Sequence, residues 1–270
     1  VWARAYGSWA DDKGNEEEAR IKRDITGVFV GADGEFSDWR IGVMGGYSQT
    51  DLKMDTRSSS GKSDAYHVGV YGGTHVGAVG VRLGASYARH DISTSRAVAF
   101  DGFTDRLSAD YKANTTQVFG EVGYDIKMSE HTTVAPFVNL ASVNHKTDSF
   151  VERGGEAALS DAGGSMRTTF TTVGLHAATK FDLGGVEATA KGLVGWHHAF
   201  GDVESASTHA FAGGDAFTVH GVPVTKNSML VEAGLEFEVG KASSVGVSYN
   251  GLFGGDYSDN GVMAYVSVKF

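Results

Sequence analysis

Residues 39–48 read Trp39-Arg40-Ile41-Gly42-Val43-Met44-Gly45-Gly46-Tyr47-Ser48. Trp39, Ile41, Val43, Gly45 and Tyr47 share one parity, and Arg40, Gly42, Met44, Gly46 and Ser48 the other. An extended chain therefore carries one apolar face, the signature of a strand. The same parity runs through 79–88, 117–126, 186–197, 229–239 and 262–270. Extended along the chain, it predicts about twelve strands of roughly 10 to 14 residues, a length that suits a tilted membrane strand better than a globular sheet.

The connections fall into two alternating kinds. Short turns are expected at 34–38, 77–78, 127–131, 182–185 and 240–243. Long polar loops are expected at 11–22, 51–63, 92–110, 146–166 and 201–226, with a shorter one at 255–260. Alternation in an antiparallel meander gathers the short turns at one end and the long loops at the other, the layout of a transmembrane β-barrel with short periplasmic turns and long extracellular loops. Trp9, Trp39, Tyr47, Tyr87, Trp196, Phe253 and Phe270 cluster towards strand ends, as interfacial girdles do. A soluble sandwich or propeller also alternates, but with shorter strands and more proline in its turns.

Composition agrees. The 270 residues include 38 Gly, 2 Pro and no Cys, which excludes disulfide frameworks, thiolate metal clusters and cysteine nucleophiles. Lys and Arg number 23 against 33 Asp and Glu, a net charge of −10 that argues against nucleic acid as a partner. No run approaches the roughly 18 apolar residues of a membrane helix. The chain starts at Val1 with neither an initiator Met nor a leader, and is read as one barrel domain over 1–270 of a longer protein.

The polar parity faces the lumen and carries Arg4, Asp33, Arg40, His67, His75, Arg82, Glu121, Asp125, Lys180, Glu187, Lys191, Glu232, Glu236 and Lys269. The turn at 182–185 is expected to set Lys180 opposite Glu187 and His176 opposite Lys191, the first pair being structural. Gly27, Gly31, Gly42, Gly46, Gly69, Gly73, Gly84, Gly123, Gly174, Gly195, Gly234 and Gly246 share that parity. They either smooth the wall of a passage on the order of 10 Å, about the width of one helix, or relieve strain in a curved sheet.

The runs Thr26–Asp33 and Arg40–Ser48, with Glu121-Val122-Gly123-Tyr124, Ala135-Pro136-Phe137, Phe150-Val151-Glu152-Arg153-Gly154, Gly192-Leu193-Val194-Gly195-Trp196-His197-His198-Ala199-Phe200-Gly201-Asp202 and Phe217-Thr218-Val219-His220-Gly221-Val222-Pro223, are arranged in the order found in a known family. Together with Trp2-Ala3-Arg4 and the terminal Phe270 they resemble the β-domain of monomeric autotransporters, the type V secretion proteins of Gram-negative bacteria, over essentially the whole chain. Composition points towards the Bordetella adhesin or serum-resistance kind. The resemblance implies a monomeric twelve-stranded barrel integral to the outer membrane, with both termini periplasmic. It also implies an upstream passenger and a linker helix in the pore, a terminal signal at Phe270, Val268 and Val266 read by the barrel-assembly machinery, and lipid and lipopolysaccharide around the barrel. Some such proteins cleave their own linker with help from luminal carboxylates. Glu121 is the candidate here, set against a plain ion-pairing role.

Other chemistry is sparse. No G-x-S-x-G, HExxH or GxxxxGK[ST] motif occurs, so no catalytic site, metal or cofactor is assigned. His67 and His90 approach across one hairpin, but zinc wants three or four ligands. His197 and His198 are adjacent and point to opposite faces. The run Glu16–Arg23 reads as a solvated loop, with a short helical turn as the alternative. A translocator is the preferred function, ahead of a barrel enzyme of the protease or lipase type or a porin.

Overall fold

A computed structural model describes residues 1–12, 21–54, 59–255 and 257–269. Twelve strands form one closed antiparallel barrel: β1 Trp2–Asp12, β2 Ile21–Phe36, β3 Trp39–Met54, β4 Ser59–Val76, β5 Val79–Phe100, β6 Phe103–Tyr124, β7 Thr132–Thr147, β8 Gly164–Asp182, β9 Glu187–Gly201, β10 Asn227–Glu238, β11 Ser243–Gly254 and β12 Tyr257–Val268. Each strand pairs with its sequence neighbours, and β12 closes on β1 from Trp2↔Ser267 to Asp12↔Tyr257. The seam is tied at its end, where Val1 N donates to Val268 O at 2.9 Å and Val268 N to Val1 O at 2.8 Å. A two-residue piece, Ile126–Lys127, continues β6 past Asp125 along β7.

Parity sorts the wall as the sequence predicts. Val28, Val30, Val43, Val68, Val70, Val118, Val122, Val138, Leu140, Leu175 and Val194 are all exposed on the outside, forming a continuous apolar band. Val262 and Val266 on the last strand face the same way. Tyr47, Tyr66, Tyr87, Trp196 and Trp9 border the band on the outside at the long-loop end.

Strand lengths depart from expectation. They run from 11 to 22 residues, because the ladders continue well beyond the apolar band. The loop expected at 92–110 is the end of a long hairpin, paired to Phe100↔Phe103 and turned by Asp101-Gly102, with Gly102 at φ +84°. Asp101 keeps an ordinary negative φ, and Gly102 supplies the positive φ that the second central residue of a type II turn needs. The loop expected at 51–63 is likewise mostly strand, as β3 reaches Met54 and β4 starts at Ser59. Past the membrane both faces meet water, so hydrophobic alternation fades while the backbone ladder persists.

The two other long connections fold on themselves. Phe150–Val151, Leu159–Asp161, Ala206–Phe211 and Ala216–His220 form a separate four-stranded sheet at the long-loop end. It is joined to the barrel by the Ser108–Arg153 bridge.

The turn after β8 holds four residues, so Asp182 lies opposite Glu187, Lys180 opposite Thr189, and His176 opposite Leu193. This corrects the expected register by two residues. Lys180 still reaches Glu187 diagonally, with Nζ to Oε1 at 2.7 Å.

Five of the luminal glycines have a specific task. A Cβ at Gly46 would lie 2.2 Å from Phe29 Cδ1, one at Gly31 2.4 Å from Trp2, one at Gly42 2.4 Å from Tyr71, one at Gly84 2.4 Å from Phe119, and one at Gly246 2.3 Å from Tyr265. Each is the seat of an aromatic ring from a neighbouring strand, so the wall at these positions is paved with rings and not smooth. Gly46→Ala should therefore cost about 1–3 kcal/mol by overpacking. Gly34→Ala, with nothing within 4 Å, should stay within about 0.5 kcal/mol of wild type. Urea unfolding of the barrel in lipid vesicles measures both, and Phe29→Ala should relieve only part of the Gly46→Ala defect, because the added Cβ would still lie 2.7 Å from Val28 O.

Candidate functional site

The lower half of the lumen, towards the short turns, carries a wall of interlocked charges. Arg82 on β5 stands opposite Glu121 on β6, and its Nη1 donates to Glu121 Oε1 at 2.5 Å. Asn139 on β7 donates to Glu121 Oε2 at 3.3 Å, and His176 Nε2 on β8 lies 3.5 Å from Oε1. Four adjacent strands thus converge on one largely buried carboxylate.

A second group is built on β1 to β4. Tyr71 OH donates to Asp33 at 2.9 Å and accepts from Trp2 Nε1 at 2.5 Å. Arg40 Nη1 lies 3.3 Å from Asp33, and the Arg4 guanidinium lies 4.9 Å from the centroid of the Trp2 ring. A third joins β9, β10 and β12, where Lys191 Nζ and Tyr265 OH both donate to Glu236 at 2.5 Å. His75 Nε2 lies 3.6 Å from Asp125.

These groups border three adjoining cavities of 340, 370 and 860 Å³. The first and third share Trp2 and Arg4, the first and second Lys191 and Glu232, and the second and third His75 and Arg82. Arg4, Asp33, Arg40, Arg82, Glu121, Asp125 and Lys191 therefore all surround one space. Lys180 and Glu187 pair at the rim of the short-turn end, both largely exposed. Trp2, Tyr71, Asn139, Glu236 and Tyr265 complete the site; all lie on luminal parity, the signal that places them there.

Above the charged wall lies a band of histidines. Ser48 and His67 share a hydrogen bond at 2.8 Å, and Thr115 Oγ1 bonds both His90 and His145 at 2.9 Å. His67 and His90 have ring centroids 6.4 Å apart, and His145 joins them 5.7 Å from His90. Among the described residues no group of three or more His, Cys, Asp or Glu is placed to hold a metal ion. His197 faces inward and bonds Thr172 at 2.8 Å, whereas His198 faces outward and stacks on Trp196. Of the Glu16–Arg23 run, 16–20 lie outside the described residues, while Ile21, Lys22 and Arg23 begin β2 and Arg23 pairs with Asp259.

The outer mouth is roofed. Val222, Pro223 and Val224 reach in against Ala10, Arg23, Leu52, Phe170, His197 and Tyr257 around a 420 Å³ cavity. Arg96 fixes the small sheet to the barrel, donating to both carboxylate oxygens of Glu152 at 2.7 and 2.5 Å and to Ala157 O at 2.8 Å. Glu152 also accepts from Leu159 N at 3.0 Å. Burial pushes the Glu152 carboxyl up, but the Arg96 and Leu159 bonds outweigh it and hold the group below the ordinary carboxylate range.

A family model described as the autotransporter β-domain matches residues 1–250. The chain belongs to that family. Two extracellular serine proteases of Serratia marcescens are 35% and 34% identical over 272 positions, a match that takes in 100% of this chain and 26% of each relative. The chain thus spans about a quarter of the length of those relatives. The translocator domain of autotransporter NalP from Neisseria meningitidis superposes with a TM-score of 0.79 at 14% identity, over 100% of this chain and 88% of that one. The β-domain of the Bordetella autotransporter BrkA gives 0.72 at 19%, over 100% and 98%. At such identities the likeness to BrkA is one of fold, while the sequence relatives are the Serratia proteins. As an autotransporter β-domain the chain is a translocator barrel, integral to the Gram-negative outer membrane, that exports a passenger domain. The short turns are its periplasmic end.

Two outcomes follow. Glu121→Ala, which strips Arg82 and Asn139 of their acceptor, should cost about 1–3 kcal/mol, and Lys180→Ala, at an exposed screened pair, less than about 1 kcal/mol; urea unfolding in vesicles compares them. A carboxyl with a lowered pKa contributes stability above its unfolded value and loses it as pH falls through the folded value. The Leu159 amide resonance should therefore titrate with a midpoint below the ordinary Glu value of about 4.3, and Arg96→Ala should move that midpoint upward.

Proposed function

We propose that the charged lower lumen is the seat of a polypeptide, the segment that links this barrel to its passenger. The observation that carries the reading is the ring of mixed charge around one connected space, in which Arg4, Arg40, Arg82 and Lys191 are interspersed with Asp33, Glu121, Asp125 and Glu236. Mixed signs suit a helix bearing both kinds of side chain, whereas a wall of one sign would select small ions. In this reading the segment remains in the pore after export and limits solute flux.

Glu121 serves as an ion-pair anchor. Its two oxygens already face Arg82, Asn139 and His176, an arrangement that favours holding a partner over activating a nucleophile. The barrel itself has no enzymatic role in this scheme. The outward face of β12, with Val266 and Val268, supplies the signal recognised by the barrel-assembly machinery; Phe270, its terminal aromatic, lies outside the described residues. Outer-membrane lipid covers the apolar band, and the working unit is the monomer.

Planar-bilayer conductance tests the seat. The barrel carrying about 30 residues of its native upstream sequence, enough for a helix to cross a membrane, should conduct far less than the barrel alone. Equal conductance would remove the segment from the lumen and put a porin-like function in its place.

A further inference from the structure

The outer surface above the apolar band is not uniform around the barrel. On β6, β7 and β8 the outermost aliphatic residues are Val118, Leu140 and Val173, all exposed. Six residues farther along each strand, on the same parity, stand Lys112, Lys146 and Arg167, all exposed. The intervening outward positions are Thr116 and Asn114, Ser142 and Asn144, and Thr171 and Thr169. Three adjacent strands therefore repeat one order: aliphatic, hydroxyl or amide, hydroxyl or amide, cation.

Register brings the cations together. Asn114 pairs with Lys146, so Lys112 is the diagonal neighbour of Lys146, and Asn144 pairs with Arg167, so Arg167 is its diagonal neighbour on the other side. Arg89 on β5 pairs with Asn114 and continues the row. Diagonal neighbours stand about 7–8 Å apart. Five carboxylates lie in or beside the row: Asp91 opposite Lys112, Asp110 two residues from Lys112 on the same face, Asp64 paired with Asp91 and diagonal to Arg89, Asp148 at the end of β7, and Asp202, which accepts from Arg167 N at 3.1 Å. Among the described residues none of the four cations is ion-paired with them or with any other acid. Elsewhere the same level is different. Trp9, Trp196, Phe200 and Phe253 occupy the β9 to β1 side, and on β3 and β4 Lys62 is already paired with Asp51.

We infer that the outward face of β5 to β8 is a binding site for a phosphorylated glycolipid of the outer leaflet. It rests on the outer-membrane placement of the barrel and not on what fills the lumen. The height fits: six residues rise about 20 Å along a strand, and strand tilt reduces this to about 15 Å above the last aliphatic residue, the level of headgroups and not of acyl chains. The chemistry fits as well. Unpaired Arg and Lys bind phosphate through charge-assisted hydrogen bonds, and a hydroxyl and amide belt beneath them suits sugar hydroxyls. A plain phospholipid would use the cations and leave the belt unmatched.

Native mass spectrometry of the folded barrel tests the site with bis-phosphorylated lipid A, phosphate-free lipid A and phosphatidylglycerol as probes. Folding is verified by the heat-dependent shift in electrophoretic mobility. Wild type should retain the bis-phosphorylated lipid at least about tenfold better than either other probe. K112A/K146A/R167A should lose about that factor, about 1.4 kcal/mol, while K53A/K62A, at the same level on β3 and β4, should match wild type. Lys146→Gln alone, central in the row, should lose part of the retention should the triple variant fold poorly. Equal retention by the basic-row variants and wild type, equal retention of the phosphate-free lipid or of phosphatidylglycerol, or equal loss in K53A/K62A would each overturn the site. The bilayer conductance of the plugged barrel is read separately, so neither result decides the other.

Discussion

Hydrocarbon offers no hydrogen-bond partner to a backbone amide or carbonyl, so a sheet that spans it must have no edge. The β1–β12 seam meets this requirement from Trp2↔Ser267 to Asp12↔Tyr257, and the exchanged bonds of Val1 and Val268 finish it. Closure then fixes the rest. With a side-chain period of two, one parity must face lipid and the other must be accommodated inside. A shift of one residue in β2 would send Val28 and Val30 into the lumen and Asp33 to the outer face. The parity of a strand is therefore the most strongly specified quantity in the molecule.

That is why the wall was legible in the sequence and its rims were not. Wherever apolar residues alternate, as at 39–48 or 117–126, the strand, its outward face and its luminal charges follow directly. Arg82 and Glu121 are luminal on both counts. Where the strands leave the membrane, Ser93, Thr94, Ser95 and Arg96 all meet water or a polar roof, and nothing in their polarity separates a ladder from a loop. The backbone signal that remained was the Asp101-Gly102 pair, which turns the longest hairpin. The β8–β9 register shows the same limit in small: parity survives a slip of two residues, so Lys180 and Glu187 stayed luminal while their exact partners changed.

Glycine on the luminal parity has a packing explanation that composition alone could not separate from curvature. Rings from β1, β2, β4, β6 and β12 lie against glycines on the adjoining strand, so Trp2, Phe29, Tyr71, Phe119 and Tyr265 pave the wall without standing far into the lumen. A ring flat against backbone buries apolar area in a water-filled interior and keeps its polar atom free. Tyr71 and Tyr265 use that atom to hold Asp33 and Glu236. The glycines thus position the carboxylates indirectly, through the phenols that rest on them.

The two ends of the lumen consequently differ in kind. The periplasmic half is held by ion pairs around open space, in which a charged segment can exchange one partner for another at little net cost in a wet, high-dielectric interior. The outer mouth is held by Arg96, bound to both oxygens of a largely buried Glu152 and to a backbone carbonyl, and by Val222, Pro223 and Val224 packed against the opposite wall. A bidentate, partly buried pair of this sort fixes geometry as well as supplying energy. The wall below is thus open to side chains that compete for its charges, while the mouth is closed by groups that already satisfy one another.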